Sequence, residues 1–333
     1  MGKLQFSFAC SEVDRMHALM TGAVQPEGMD FNFIPLEVEE IYWRQLRHHE
    51  WDASEMSLSS YLVARSRGDD RLMGIPVFPS RMFRHSFIFI NAHKGINQPT
   101  DLIGKTIGLP EYQMTANVWI RGILEHEYGV HPSQVRWRFG GEETPGREEK
   151  LKLTLPPNID YGPIPRDKTL STMLDTGEID AMIAARIPSC LTKGSPNVKR
   201  LFENHPEVEA QYYEKTSIFP IMHIVAIRRD VYEQHRWVAK SLYKACLASK
   251  QLALQKLNPS ANWPSLPVAL PWLFEDSQRI QKTMGNDWWP YGIEKNRATL
   301  EAILQYSFEQ GLSERKLSVE ELFAPETLDD FII

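Results

Sequence analysis

Thr100-Asp-Leu-Ile-Gly-Lys-Thr-Ile-Gly-Leu-Pro-Glu-Tyr-Gln-Met-Thr-Ala-Asn-Val-Trp-Ile-Arg121 spells out a strand, a ligand-facing turn and a helix start in succession. Thr106-Ile107-Gly108-Leu109 is a short apolar run suited to a buried parallel strand, Pro110 stops it, and from about Met114 the apolar spacing turns helical. Such a turn presents backbone N–H groups and the positive end of a helix dipole at the carboxyl edge of a sheet, where anionic ligands bind in α/β folds. The stretch predicts a carboxylate site.

Strand and helix patterns alternate on either side of it. Strands are expected at Leu4–Ala9, Asp30–Pro35, Ala53–Met56, Phe87–Asn91, Val135–Phe139, Ala181–Ala185 and His223–Arg228, with helices at Val13–Met20, Val38–His48, Leu58–Ser66, Thr115–Tyr128 and Thr169–Thr176. This order calls for mostly parallel sheets with helices on both faces. A chain of 333 residues is long enough for two lobes with separate cores. Crossings at Asn91–Gln98 and Ser217–Ile221 would make a discontinuous first lobe, 1–92 with 222–333, and a second lobe, 93–221, with the ligand between them. Helices over 236–257 and 294–310 should pack on the first lobe. Segment 140–168 carries five prolines among mixed charges and reads as an excursion: a lid, an arm or a surface loop.

Six phrases in chain order carry a resemblance: Glu55-Met-Ser-Leu-Ser-Ser-Tyr61, Pro76-Val-Phe-Pro-Ser-Arg-Met-Phe-Arg-His85, Glu111-Tyr-Gln-Met-Thr-Ala116, Gly177-Glu-Ile-Asp-Ala181, Phe219-Pro-Ile-Met-His223 and Trp288-Trp-Pro-Tyr-Gly292. Together they resemble the 4,5-dihydroxyphthalate decarboxylase family, an enzyme branch of the type II periplasmic-binding-protein fold. The resemblance implies a two-lobed α/β architecture with an interlobe cleft, a small aromatic carboxylate as substrate, and conversion of 4,5-dihydroxyphthalate to protocatechuate and CO2. A non-catalytic solute-binding protein, or another enzyme on the same fold, remains an alternative.

A dicarboxylate needs cations, and guanidinium groups grip carboxylates bidentately. Arg81 and Arg84 lie in a loop that faces the cleft in the resembled fold, and Arg186 follows a strand expected to end there. Arg15 and Arg121 are further candidates. Ser57, Ser59, Tyr112, Gln113 and Thr115 can offer neutral contacts, although Ser and Thr at helix starts also serve as caps. Trp288 could wall the cleft for a benzene ring. For proton transfer the candidates are His223 and His85, then Glu111 and Glu142 at strand ends, each with a structural role as its alternative.

Several classes are set aside. A net charge of −6 without a basic block gives nucleic acid or anionic membrane no partner surface. His126-Glu-Tyr-Gly-Val-His131 has one residue too many for HExxH, so no metal site is expected. No Walker, GxGxxG or GxSxG motif occurs, so no cofactor is expected. Cys10, Cys190 and Cys246 form no CxxC pair, and the first strand begins without a leader-like apolar run, so a cytoplasmic protein is expected, as a homo-oligomer.

Overall fold

The computed structural model describes residues 2–258 and 263–329. Eleven strands among the described residues form two sheets. The first contains β1 (Leu4–Cys10), β2 (Met29–Pro35), β3 (Ala53–Ser57), β4 (Leu72–Ile75) and β11 (His223–Arg228), in the order β2-β1-β3-β11-β4. The second contains β5 (Ile88–Asn91), β6 (Thr106–Leu109), β7 (Arg136–Phe139), β8 (Asp160–Pro163), β9 (Ala181–Ile183) and β10 (Val198–Arg200), in the order β10-β5-β9-β6-β7-β8. The α/β class and its mostly parallel sheets are as the sequence implied. Within each sheet one returning strand runs antiparallel, β11 beside β3 and β4, and β5 beside β9 and β10.

The first crossing needs correction. Strand 88–91 pairs only within the second sheet, so the chain changes sheets between Ile75 and Ile88, ahead of Asn91–Gln98. The run 88–91 is fully buried and apolar apart from its last residue, and so it can enter the centre of either sheet; pairing partners decide which. The chain returns to the first sheet after α7 (His205–Thr216), ahead of His223. The two connecting segments run antiparallel: Met82 N donates to Pro220 O at 3.1 Å and Met222 N to Ser80 O at 2.8 Å.

Helices α2 (Val38–His48), α3 (Leu58–Ser66) and α4 (Thr115–Tyr128) have the bounds their spacing predicts. The Ser57 side chain caps α3 by accepting from Ser60 N, and Gly129, at φ 70°, lets the chain leave α4 in the left-handed region. Helix α9 (Trp237–Lys256) packs on the first sheet's side, against residues 14–20. Helix α11 (Arg297–Glu309) instead lies against both α3 and α4, so it joins the two sheet layers rather than covering one. Gly122 makes this possible, because a Cβ there would sit 2.0 Å from the Tyr306 ring.

Segment 140–168 is not an isolated excursion. Its residues 160–163 add β8 alongside β7, Tyr161 stacks on Phe139 with ring centroids 4.7 Å apart, and Leu151, Leu153, Leu155 and Ile159 pack on the main core. The short strands β4, β8 and β10 escaped the sequence reading; β8 holds a glycine and a proline and β10 two basic residues in three, so neither writes an apolar run. Helices α7 and α10 (Leu273–Met284) were also missed.

Candidate functional site

The site is built where β1, β3 and β11 end together. Glu55 stands in β3 with none of its surface exposed, and the antiparallel register sets His223, first residue of β11, opposite Ser57. His223 Nδ1 lies 2.6 Å from Glu55 Oε1. Glu55 Oε2 accepts from Ser11 N at 2.9 Å, from Ser11 Oγ at 2.6 Å and from Cys10 Sγ at 3.3 Å. Burial alone would push the Glu55 carboxyl up, but the bond and charge of His223 and the two bonds from Ser11 outweigh it and hold the group at about 2. An ionised Glu55 makes Nδ1 the donor, leaving Nε2 as the nitrogen that exchanges a proton. No described residue bonds Nε2, and the His223 side chain keeps 18% of its surface exposed. The Tyr42 ring meets the imidazole edge-on at 5.2 Å.

From Tyr42 a belt of charge runs to the edge of the second sheet. The buried Tyr42 hydroxyl feels the charges of both Glu55 and Glu39, which, after its burial, raise its pKa well above the ordinary value. Glu39 Oε2, on α2, is 2.9 Å from Arg147 Nη2 and 3.2 Å from Lys150 Nζ. Both cations also hold Glu111 Oε1, Arg147 through Nε at 2.8 Å and Lys150 at 2.6 Å. Glu111 Oε2 is buried with no hydrogen-bond partner among the described residues. Glu142, after β7, is raised to about 7, first by burial and then by Glu143, against the pull of Arg186 and Arg147. Arg186, exposed after β9, makes no hydrogen bond or ion pair among the described residues.

The residues expected to bind substrate divide sharply. Ser57 Oγ and Thr115 Oγ1 meet at 3.0 Å, and Thr115 Oγ1 also accepts from Ser59 N at 3.1 Å, so these three join α3 to α4 next to His223. Gln113 and the Tyr112 backbone are held by Glu149. Arg15 donates from Nε to Pro79 O at 2.9 Å and stacks on Trp289 at 4.0 Å.

Six of the expected site residues are placed otherwise. Arg81 is buried and spends its guanidinium on Phe219 O, Pro290 O and Asn296, tying the crossing segments to the 290–296 region. Arg84 is also buried, against Met222 Sδ and Ala185 O; burial lowers it to about 9, still charged at neutral pH. Both are structural ties, since the crossings that carry them close on each other. Arg121 is buried and bonded to Gln310 Oε1 and Tyr112 O, with its guanidinium 3.7 Å over the Tyr112 ring and its Nη1 without a hydrogen-bond partner among the described residues.

His85 sits in a cage of Tyr128, Phe202 and Tyr212, with both nitrogens unbonded among the described residues; burial lowers it to about 4, so it is a neutral core group, unsuited to proton transfer at neutral pH. Glu111 is locked in the ion quartet instead of standing free as an acid. Trp288 lines a groove of about 490 Å³ with Phe83, Tyr213, Phe219 and Trp289, and neither Glu55 nor His223 is part of its lining.

Sequence reading missed Glu55, Ser11, Tyr42, Glu39, Arg147 and Lys150. Glu55 opens one of the six quoted phrases, and a carboxylate inside a strand that is otherwise buried was the available signal. Arg147 and Lys150 carried none, because charges beside prolines look like surface. Among the described residues no helix is long and apolar enough to cross a membrane.

No protein-family model matches the chain. The fold is shared with the periplasmic aliphatic sulphonate binding protein SsuA from Escherichia coli, at TM-score 0.54 and 11% identity over 98% of this chain and 99% of the other. It is shared equally with the desulfurization enzyme DSZB, at TM-score 0.54 and 13% identity over 98% of each chain. Much greater sequence similarity links the chain to a 4,5-dihydroxyphthalate decarboxylase of Comamonas testosteroni, 43% identical over 333 residues, the full length of both. One of Pseudomonas putida is 44% identical over 217 residues, 65% of this chain and 84% of the other. Identity sustained at that level from end to end places the chain in the 4,5-dihydroxyphthalate decarboxylase family.

Proposed function

We propose that the protein removes one carboxylate from 4,5-dihydroxyphthalate, giving protocatechuate and CO2, and that its own side chains act as acid and base without an organic cofactor. Each ring carboxylate of that compound stands para to a hydroxyl. The hydroxyl can push an electron pair into the ring while an acid protonates the carbon that carries the departing carboxylate. The carbon–carbon bond then breaks, its electrons restore the aromatic ring, and CO2 leaves. The net change is one proton taken up and one carboxylate lost.

The observation that carries this reading is the Glu55–His223 pair at 2.6 Å, with an ionised, fully buried carboxylate fixing the ring and an accessible Nε2. His223 delivers the ring proton. Glu142, raised to about 7, is suited to take the phenolic proton and return it. Arg186, exposed at the strand edge, draws in the dianion. Closure of the two lobes on the ligand would exclude water and strengthen these contacts. Three free, buried cysteines fit a cytoplasmic setting. Exposed Trp263, Leu266, Leu270 and Trp272 support packing between copies of the chain.

The test is to incubate the purified protein with hydroxylated benzoates and phthalates, following CO2 and ring absorbance. Release of CO2 from 4,5-dihydroxyphthalate with matching protocatechuate is expected. Saturable binding of these acids with no CO2 from any of them would leave a solute receptor and overturn the enzyme reading.

A further inference from the structure

We propose that Arg147 and Lys150 form the receptor for the carboxylate that the substrate keeps, and that Glu39 occupies this receptor until substrate displaces it. The inference rests on the decarboxylase reading above and names a part of the site that neither sequence pattern nor family resemblance marked. Arg81, Arg84 and Arg121 are buried and bonded to internal partners, which favours other cations for meeting the substrate's carboxylate. Arg147 and Lys150 are two cations that share Glu39, which stands on the same helix as Tyr42, and the Tyr42 ring meets His223 at 5.2 Å.

Their two carboxylate partners differ in a telling way. Glu111 has only 1% of its side chain exposed, and Lys150 only 4%, so that pair is a fixed element. Glu39 is 34% exposed and Arg147 29%, so Glu39 is the partner that a carboxylate arriving from solvent can replace, and its departure opens one coordination place on each cation. A carboxylate from the substrate fits that place with no change in net charge. Glu39 itself shows that the place binds carboxylate well: its own pKa is lowered by Lys150 and Arg147 despite burial that pushes it up.

Chemistry decides which carboxylate goes there. Ion pairs on the departing group would stabilise the ground state and oppose loss of neutral CO2, whereas ion pairs on the retained group are the same before and after reaction. Two cations therefore suit the retained carboxylate, which the product also carries.

The test measures calorimetric affinity for 4,5-dihydroxyphthalate and protocatechuate, with turnover and thermal melting in parallel. Arg147→Gln should weaken both affinities roughly 10- to 100-fold, as for loss of a charged hydrogen bond. Glu39→Gln should tighten both by several-fold, because the internal competitor is gone, even while its melting temperature falls. If Glu39 is only a latch between α2 and segment 140–168, Glu39→Gln will weaken binding, which overturns the proposal. Unchanged affinity in folded Arg147→Gln, with wild type still releasing CO2, overturns it alone. Wild-type protein that neither binds nor decarboxylates these acids overturns the functional reading as well.

Discussion

Replacing Glu55 by Gln removes a single charge and keeps the shape around it. The amide can still accept from Ser11, but the negative charge that faces His223 Nδ1 is lost. In the folded protein the Glu55 carboxyl stands at about 2 against an ordinary 4.5, a drop that at about 1.4 kcal/mol per unit makes the ionised form worth roughly 3 kcal/mol to the native state. Because the folded value lies below the unfolded one, this stability is fully present above about pH 4.5 and is lost as pH falls toward 2. Between pH 6 and pH 3, urea unfolding should show wild type losing about 2 kcal/mol that Glu55→Gln does not lose. Turnover should fall further than stability does. An imidazole without its orienting carboxylate loses much of a general acid's typical contribution of about 10²–10⁴-fold, while substrate affinity, set by cations elsewhere, stays within a few-fold. A folded Glu55→Gln protein with near wild-type turnover and the wild-type acid dependence would refute the roles given to both residues.

His223→Gln should lower turnover by about 10²–10⁴-fold with binding retained, whereas His85→Phe, which fills the same aromatic cage, should turn over within a few-fold of wild type; steady-state kinetics on both separates the two histidines. Glu142, held above its unfolded value at about 7, costs the fold stability as pH rises from about 4.5 to 7, so Glu142→Gln should flatten that part of the urea stability profile and remove a limb near pH 7 from the rate profile. An unchanged pair of profiles would take Glu142 out of the proton path. Gly122→Ala would set a methyl 2.0 Å from the Tyr306 ring where α4 meets α11, and urea unfolding should show a loss of about 1–3 kcal/mol; a neutral result would mean that the α4–α11 contact yields easily.

Sequence alone determined the alternation of strands and helices, because burial on both faces writes continuous apolar runs and one-sided burial writes a helical period. It also determined the strand-turn-helix at 106–128, and it pointed to His223, which opens a strand after the return crossing, and to Glu142 and Arg186, which follow strands. Local patterns cannot say which strand pairs with which, so the sheet that takes Ile88–Asn91 was settled only by tertiary pairing. The same limit governs charge. Arg81, Arg84 and Arg121 look as available in the chain as Arg186 does, yet three of them are buried against carbonyl, amide or sulfur acceptors that lie up to 215 residues away in sequence. Glu55 and His223 are separated by 168 residues, and Glu39 and Arg147 by 108. A carboxylate's chemistry depends on what it touches after folding, and only the packed structure brings those partners within 3 Å.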